Sequence, residues 1–169
     1  MDHELIAIDE VGFQLQTNFK QIWFEKGKKP KGAFFWSNKK LIVFGAQREG
    51  QKLFYEFHIA QNSMTFMSFL SGLFETLNPE KKYVLILDNA AWHKTQVVQN
   101  YIAKQSNIKV EFIPPYSPEL NPIETNWKVT RNRVTKSQFF KTLEELQNAL
   151  EEFWCEHKFM QNFIGYLCR

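Results

Sequence analysis

Aspartate is scarce in this chain. Among 169 residues fifteen acids are Glu and only three are Asp, namely Asp2, Asp9 and Asp88. Asp9 and Asp88 each close an apolar run, where an acid serving only solubility does not usually fall. Cysteine is scarcer still: Cys155 and Cys168 form no disulfide or metal framework, which suits a reducing cytoplasm. No apolar run reaches the roughly 20 residues that span a bilayer, and no signal-peptide pattern opens the chain. A Gly-rich phosphate loop is missing, and the four His lack the spacing of a zinc site. Membrane, disulfide-stapled and phosphate-loop classes are set aside, and the expected location is cytoplasmic.

What is present is apolar bulk. With 44% hydrophobic residues and 17 Phe, the chain can bury a sizeable core, and residues 1–169 are expected to form one domain. A net charge of +3 does not by itself argue for nucleic acid. Its distribution says more, because Lys26, Lys28, Lys29 and Lys31 form one basic cluster and Lys128, Arg131, Arg133 and Lys136 another.

The apolar periods give the order of elements. Leu5–Ile8 reads as a buried strand ending at Asp9–Glu10, and Phe34–Trp36 as a further short strand. Leu41–Phe44 and Leu53–Phe57 form an expected hairpin around Arg48–Gly50. Asn62 or Ser63 caps a helix whose Phe66, Phe69, Leu70 and Leu73 make one apolar stripe. Tyr83–Leu87 has the continuous apolar character of a central strand and stops at Asp88–Asn89. A helix from Thr95, a strand over Ile108–Ile113, a helix after Pro122 and a last helix from Thr142 complete the chain. Strands alternating with helices predict an α/β fold, parallel in its second half, with helices packed on the sheet.

Four of the six prolines fall between Pro114 and Glu124. Their fixed φ makes this a stiff loop, and Asn121 with Pro122 has the form of a helix start. Glu124 then stands about one turn into the helix. That position suits a helix-capping glutamate, and it equally suits an acid held at a fixed point. Ligands bind beyond the carboxyl ends of strands in such sheets, so Asp9 and Asp88 converge if their strands are parallel neighbours, with Glu124 as a third acid. Three close carboxylates repel one another unless a cation lies between them. Hard oxygen donors with room for water and phosphate suit Mg²⁺ or Mn²⁺.

Asp88–Asn89 with His93, the run Pro114-Pro115-Tyr116-Ser117-Pro118-Glu119-Leu120-Asn121-Pro122-Ile123-Glu124, and Trp127 resemble the catalytic domain of DDE transposases, in the bacterial insertion-sequence branch of the mariner-type superfamily. Asp9–Glu10 with Gly12–Phe13, and Trp23 with Lys26–Gly27, look like that family's first catalytic motif. Thirty-five residues separate Asp88 from Glu124, as the family's spacing requires.

The resemblance implies a ribonuclease-H-like fold with a mixed five-stranded sheet. It also implies two-metal DNA cleavage followed by transfer of the freed 3′-hydroxyl into target DNA, with Asp9, Asp88 and Glu124 as the metal-binding catalytic triad. Lys128 and Arg131 become candidate phosphate contacts. His93 either meets a DNA phosphate or caps the next helix, and Asn89 either orients Asp88, touches substrate or makes a turn. Trp127 is expected to anchor the Glu124 helix to the core. The implied partners are transposon-end and target DNA and a second copy of the chain. Helix-turn-helix modules usually precede the first Asp in this family. With eight residues before Asp9, they are expected to be cut away or separately encoded, unless the chain is an immobile DNA-binding remnant. A ribonuclease-H or resolvase-type nuclease is the other enzyme reading of the same fold.

Overall fold

The computed structural model describes residues 3–15, 26, 37–136, 138–159 and 163. The expected strand Phe34–Trp36 and the motif residues Trp23 and Gly27 lie outside these. Strands β1 (His3–Gln14), β2 (Lys40–Arg48), β3 (Phe54–His58), β4 (Lys82–Leu87) and β5 (Ile108–Phe112) form one five-stranded sheet in the order β3-β2-β1-β4-β5. β2 is antiparallel to both β1 and β3, while β4 is parallel to both β1 and β5. The hairpin between β2 and β3 turns through Gly50, whose φ of +70° is open to glycine at no steric cost.

Helices α1 (Ser63–Glu75) and α2 (Gln96–Ala103) cover one face, and α3 (Ile123–Thr130) and α4 (Leu143–Glu156) the other. Strand alternation divides the core accordingly. Ile6, Ile8, Phe44, Leu85 and Leu87 pack beneath α1, whose expected stripe of Phe66, Phe69, Leu70 and Leu73 is buried. Ala7, Val11, Phe13 and Val43 pack beneath Trp127, Leu150 and Trp154. Asn62 caps α1 in a full capping box with Thr65. Thr142 caps α4 by accepting from the Glu145 amide, and the Glu145 side chain reaches back to the Lys141 amide. No helix among the described residues is long and apolar enough to cross a membrane.

β1 departs from the sequence reading. It continues past Asp9–Glu10 to Gln14, because Val11 and Phe13 resume the inward alternation. Asp9 therefore lies mid-strand, paired with Gly45 of β2. What ends there is the pairing with β4, whose last partners are Ala7 and Ile86.

Candidate active site

That register brings two acids abreast: Asp9 lies two residues beyond Ala7 on β1, and Asp88 two beyond Ile86 on the parallel β4. Glu124 arrives from the second position of α3. All three line one open pocket of about 430 Å³, walled opposite by residues 113–118 of the proline loop.

Asp9 faces α3 and is 9% exposed. Its Oδ2 accepts a hydrogen bond from Trp127 Nε1 at 3.0 Å. Burial pushes its carboxyl up to about 8, the charges of Glu124, Glu10 and Asp88 push the same way, and the Trp127 N–H opposes them.

Glu10, the next residue on the strand, points to the opposite face. There His93 Nε2 donates to Glu10 Oε1 at 2.8 Å and Trp92 Nε1 to the same oxygen at 3.3 Å. The other ring nitrogen, His93 Nδ1, lies 2.9 Å from Asp88 Oδ1. A ring that donates from both nitrogens is an imidazolium. Burial alone would push its charge off, but the bonds and charges of Asp88 and Glu10 outweigh it and raise His93 to about 9. In return His93, with the Ala90 amide at 2.9 Å, holds the Asp88 carboxyl below the usual range against its partial burial. His93 is wholly buried. Its place is behind Asp88, and the cap position of α2 falls to Thr95.

Asn89 makes a tie instead of a simple turn. Its Nδ2 donates to the Ile113 carbonyl and its Oδ1 accepts from Lys94 Nζ, so the ends of β4 and β5 are joined beside the pocket. Lys128 and Arg131 lie elsewhere, with Lys136, in a second depression of about 470 Å³ beside Phe13. Trp127 is 1% exposed and anchors α3, as expected, while its N–H also serves Asp9.

Asn121 serves a different end from the expected one. No side chain caps α3, which starts behind Pro122, so Glu124 is not engaged in a capping box. Asn121 instead donates from Nδ2 to the carbonyl of Ile8 at 3.1 Å and ties the proline loop to β1 next to Asp9. Its buried Oδ1 has no partner among the described residues.

The donor set fits a hard divalent cation. The ligands would be carboxylate oxygens, and without a cation burial and mutual repulsion leave Asp9 protonated near neutral pH. Asp88 Oδ1 is engaged with His93 and Ala90, which leaves Oδ2 for a metal. Ligand atoms of Glu10, Asp88 and His93 also lie within 4.8 Å of one another. Both His93 nitrogens meet carboxylates there, so the group is tied together as an ion-paired brace.

A pH dependence follows. The folded chain keeps the Asp9 proton up to about 8, whereas the unfolded chain releases it near 3.8, so stability falls as pH rises between them. His93 acts in the same sense between 6.5 and about 9. Asp88, shifted down, matters on the acid side, where its contribution is lost as pH drops below the usual carboxylate range. The melting temperature of metal-free protein is expected to fall from about pH 6 to about pH 9. Mn²⁺ should restore it increasingly with pH, because cation and proton compete for Asp9. A flat profile, or one that Mn²⁺ leaves unchanged, would contradict this account.

Comparison with known proteins gives a consistent result. The family model described as DDE superfamily endonuclease matches residues 4–147. An uncharacterised 39 kDa protein of insertion element IS630 from Shigella sonnei is 25% identical over 153 residues, covering 90% of this chain and 45% of that protein. An uncharacterised Sinorhizobium fredii protein is 40% identical over 63 residues, covering 37% of this chain and 44% of its own length. The chain thus spans less than half the length of either relative. Among solved structures, the Mos1 strand transfer complex superposes with a TM-score of 0.75 at 18% identity, over 98% of this chain and 50% of that one. The catalytic domain of Mos1 mariner transposase gives 0.68 at 18% identity, over 98% and 74%. The shared fold is ribonuclease-H-like.

Proposed function

Because the chain belongs to the family of DDE superfamily endonucleases, we propose that it is the catalytic part of a bacterial DNA transposase, cutting a phosphodiester at a transposon end and joining the freed 3′-hydroxyl to target DNA. The observation that carries the reading is the convergence of Asp9, Asp88 and Glu124 on one open pocket at the strand ends. Divalent cations bound there, Mg²⁺ or Mn²⁺ and two in number, would activate the attacking oxygen and neutralise the leaving one. The chain's own residues do the rest. Asp9, Asp88 and Glu124 hold the cations, and the Glu10–His93 brace fixes the rotamer of Asp88 and keeps it charged. Trp127 fixes the rotamer of Asp9 and favours its ionised form against burial, while Asn89 and Asn121 fix the loop and strand ends around the pocket.

The basic depression with Lys128 and Arg131 lies beside Phe13 on the same strand as Asp9 and would hold a phosphate of the DNA flank, adding affinity without sequence choice. Structures of Mos1 include a paired-end complex with Mn and a strand transfer complex. By analogy this chain would act in the cytoplasm as a dimer that joins two ends. Recognition of those ends would fall to a helix-turn-helix part in the remaining length of its relatives or on a separate chain.

Supercoiled plasmid DNA incubated with the chain and Mn²⁺ or Mg²⁺ is expected to be nicked, with EDTA abolishing the reaction. A labelled oligonucleotide bearing a free 3′-hydroxyl should then become joined to the plasmid. Cutting of RNA–DNA hybrids with duplex DNA left intact would overturn the proposal in favour of a ribonuclease.

A further inference from the structure

Tyr116 stands on the rim of the acid pocket in a costly backbone conformation. Its φ is +59°, the one positive φ of a non-glycine residue among the described residues. For a bulky side chain that region costs on the order of 1–3 kcal/mol. Pro114 and Pro115 before it and Pro118 after it have locked φ values, so the segment has little freedom to relax.

The fold gains nothing from the ring in return. Tyr116 is fully exposed and makes no hydrogen bond or ring contact among the described residues. A strained, rigidly flanked aromatic that touches nothing within the fold points to a contact made outside it.

The pocket indicates which contact. Asp9 is 9% exposed, so the scissile phosphate must descend from the rim to reach it. The pocket of about 430 Å³ is open, and Tyr116 shares its lining with Asp9, Asp88 and Glu124, so the ring lies where the nucleotides flanking that phosphate would pass. A nucleotide that leaves its partner there loses a few kcal/mol in stacking and pairing. An aromatic face returns about 1–3 kcal/mol of this, whatever the base.

We propose that Tyr116 is a stacking platform for an unpaired nucleobase flanking the scissile phosphate. The inference rests on the reading of the acid pocket as a DNA-cutting site. It requires the ring face and not the hydroxyl.

The test compares the wild type, Tyr116→Phe, Tyr116→Ala and Tyr116→Gly. Fluorescence anisotropy would measure binding of a labelled single-stranded oligonucleotide and of the same strand with abasic sites. Tyr116→Ala is expected to bind the base-bearing strand about 5- to 150-fold more weakly, and Tyr116→Phe within about twofold of the wild type. All variants should bind the abasic strand alike. A 2-aminopurine in the strand should be quenched by the wild type and Tyr116→Phe but not by Tyr116→Ala. Tyr116→Gly, which accepts a positive φ freely, should melt at or above the wild-type temperature while binding like Tyr116→Ala.

Equal preference of wild type and Tyr116→Ala for bases over abasic sites would overturn the proposal. So would a lower melting temperature for Tyr116→Gly, which would make the ring a structural element, or failure of the wild type to bind the base-bearing strand. Loss of base preference together with absent plasmid nicking would leave the stacking platform standing and count against the nuclease reading alone.

Discussion

Asp88→Asn is expected to lower metal-dependent plasmid nicking by more than about 100-fold, the upper end of what losing an outer partner of a metal ligand costs. The expected loss of stability is small. The amide keeps an oxygen where Asp88 Oδ1 now accepts from Ala90 and His93. What disappears is the negative charge at the pocket, and with it most of the affinity for a hard cation. The buried His93 remains paired with Glu10, so the change costs on the order of 1 kcal/mol in hydrogen bonding.

Glu10→Gln should show the reverse balance. The Glu10 side chain is 3% exposed and its partner His93 is wholly buried, and removing one member of such a pair costs about 3–5 kcal/mol. Cation affinity should fall less than in Asp88→Asn, by about 10- to 100-fold, because the ligand itself remains. Calorimetric titration with Mn²⁺ and thermal melting of both variants check the crossed pattern. If Asp88→Asn cut DNA at the wild-type rate, the acid pocket would not be the cutting site.

Much of the fold is legible in the sequence where one physical signal dominates. Tyr83–Leu87 is apolar throughout because both its faces are covered, and α1 shows its buried stripe without interruption. Legibility fails where a polar residue answers to a distant partner. Asp9 and Glu10 resemble a strand end because two adjacent acids break the alternation. They are tolerated mid-strand because one meets Trp127 and the other His93, 118 and 83 residues away. The order of residues around Asn121 fits a helix cap, yet the open carbonyl of Ile8 claims its side chain, and no local pattern records that carbonyl. Lys128 and Arg131 follow Glu124 at helical spacing, but the helix widens into a π-turn over Arg131–Thr135, and the basic side chains line their own depression. The carboxylates of the pocket were visible as strand-end and helix-start residues. The brace behind Asp88 has no local signature: from the sequence His93 reads as a phosphate contact or a helix cap, because Glu10 lies 83 residues away.

The contact that joins fold to site most tightly is the one between Gly45 and Trp127. Gly45 pairs with Asp9 across β1 and β2. A Cβ at Gly45 would lie 2.4 Å from Trp127 Cη2 and 2.7 Å from Cζ2, closer than packed atoms approach. Trp127 has little room to give way, since it is buried against Ile123 and Trp154, with its N–H on Asp9. Gly45→Ala is therefore expected to destabilise the protein by about 1–3 kcal/mol. It should also displace the indole from Asp9 and so weaken Mn²⁺ binding at neutral pH, because that N–H favours the ionised carboxylate. Trp127→Phe makes room but lacks the N–H. In the double variant the smaller ring should recover part of the stability lost in Gly45→Ala, a positive coupling between touching residues, while Mn²⁺ affinity stays low. Additive losses of stability would mean that the ring does not lie over Gly45. Recovery of cation affinity along with stability would mean that the Trp127 N–H has no part in holding Asp9.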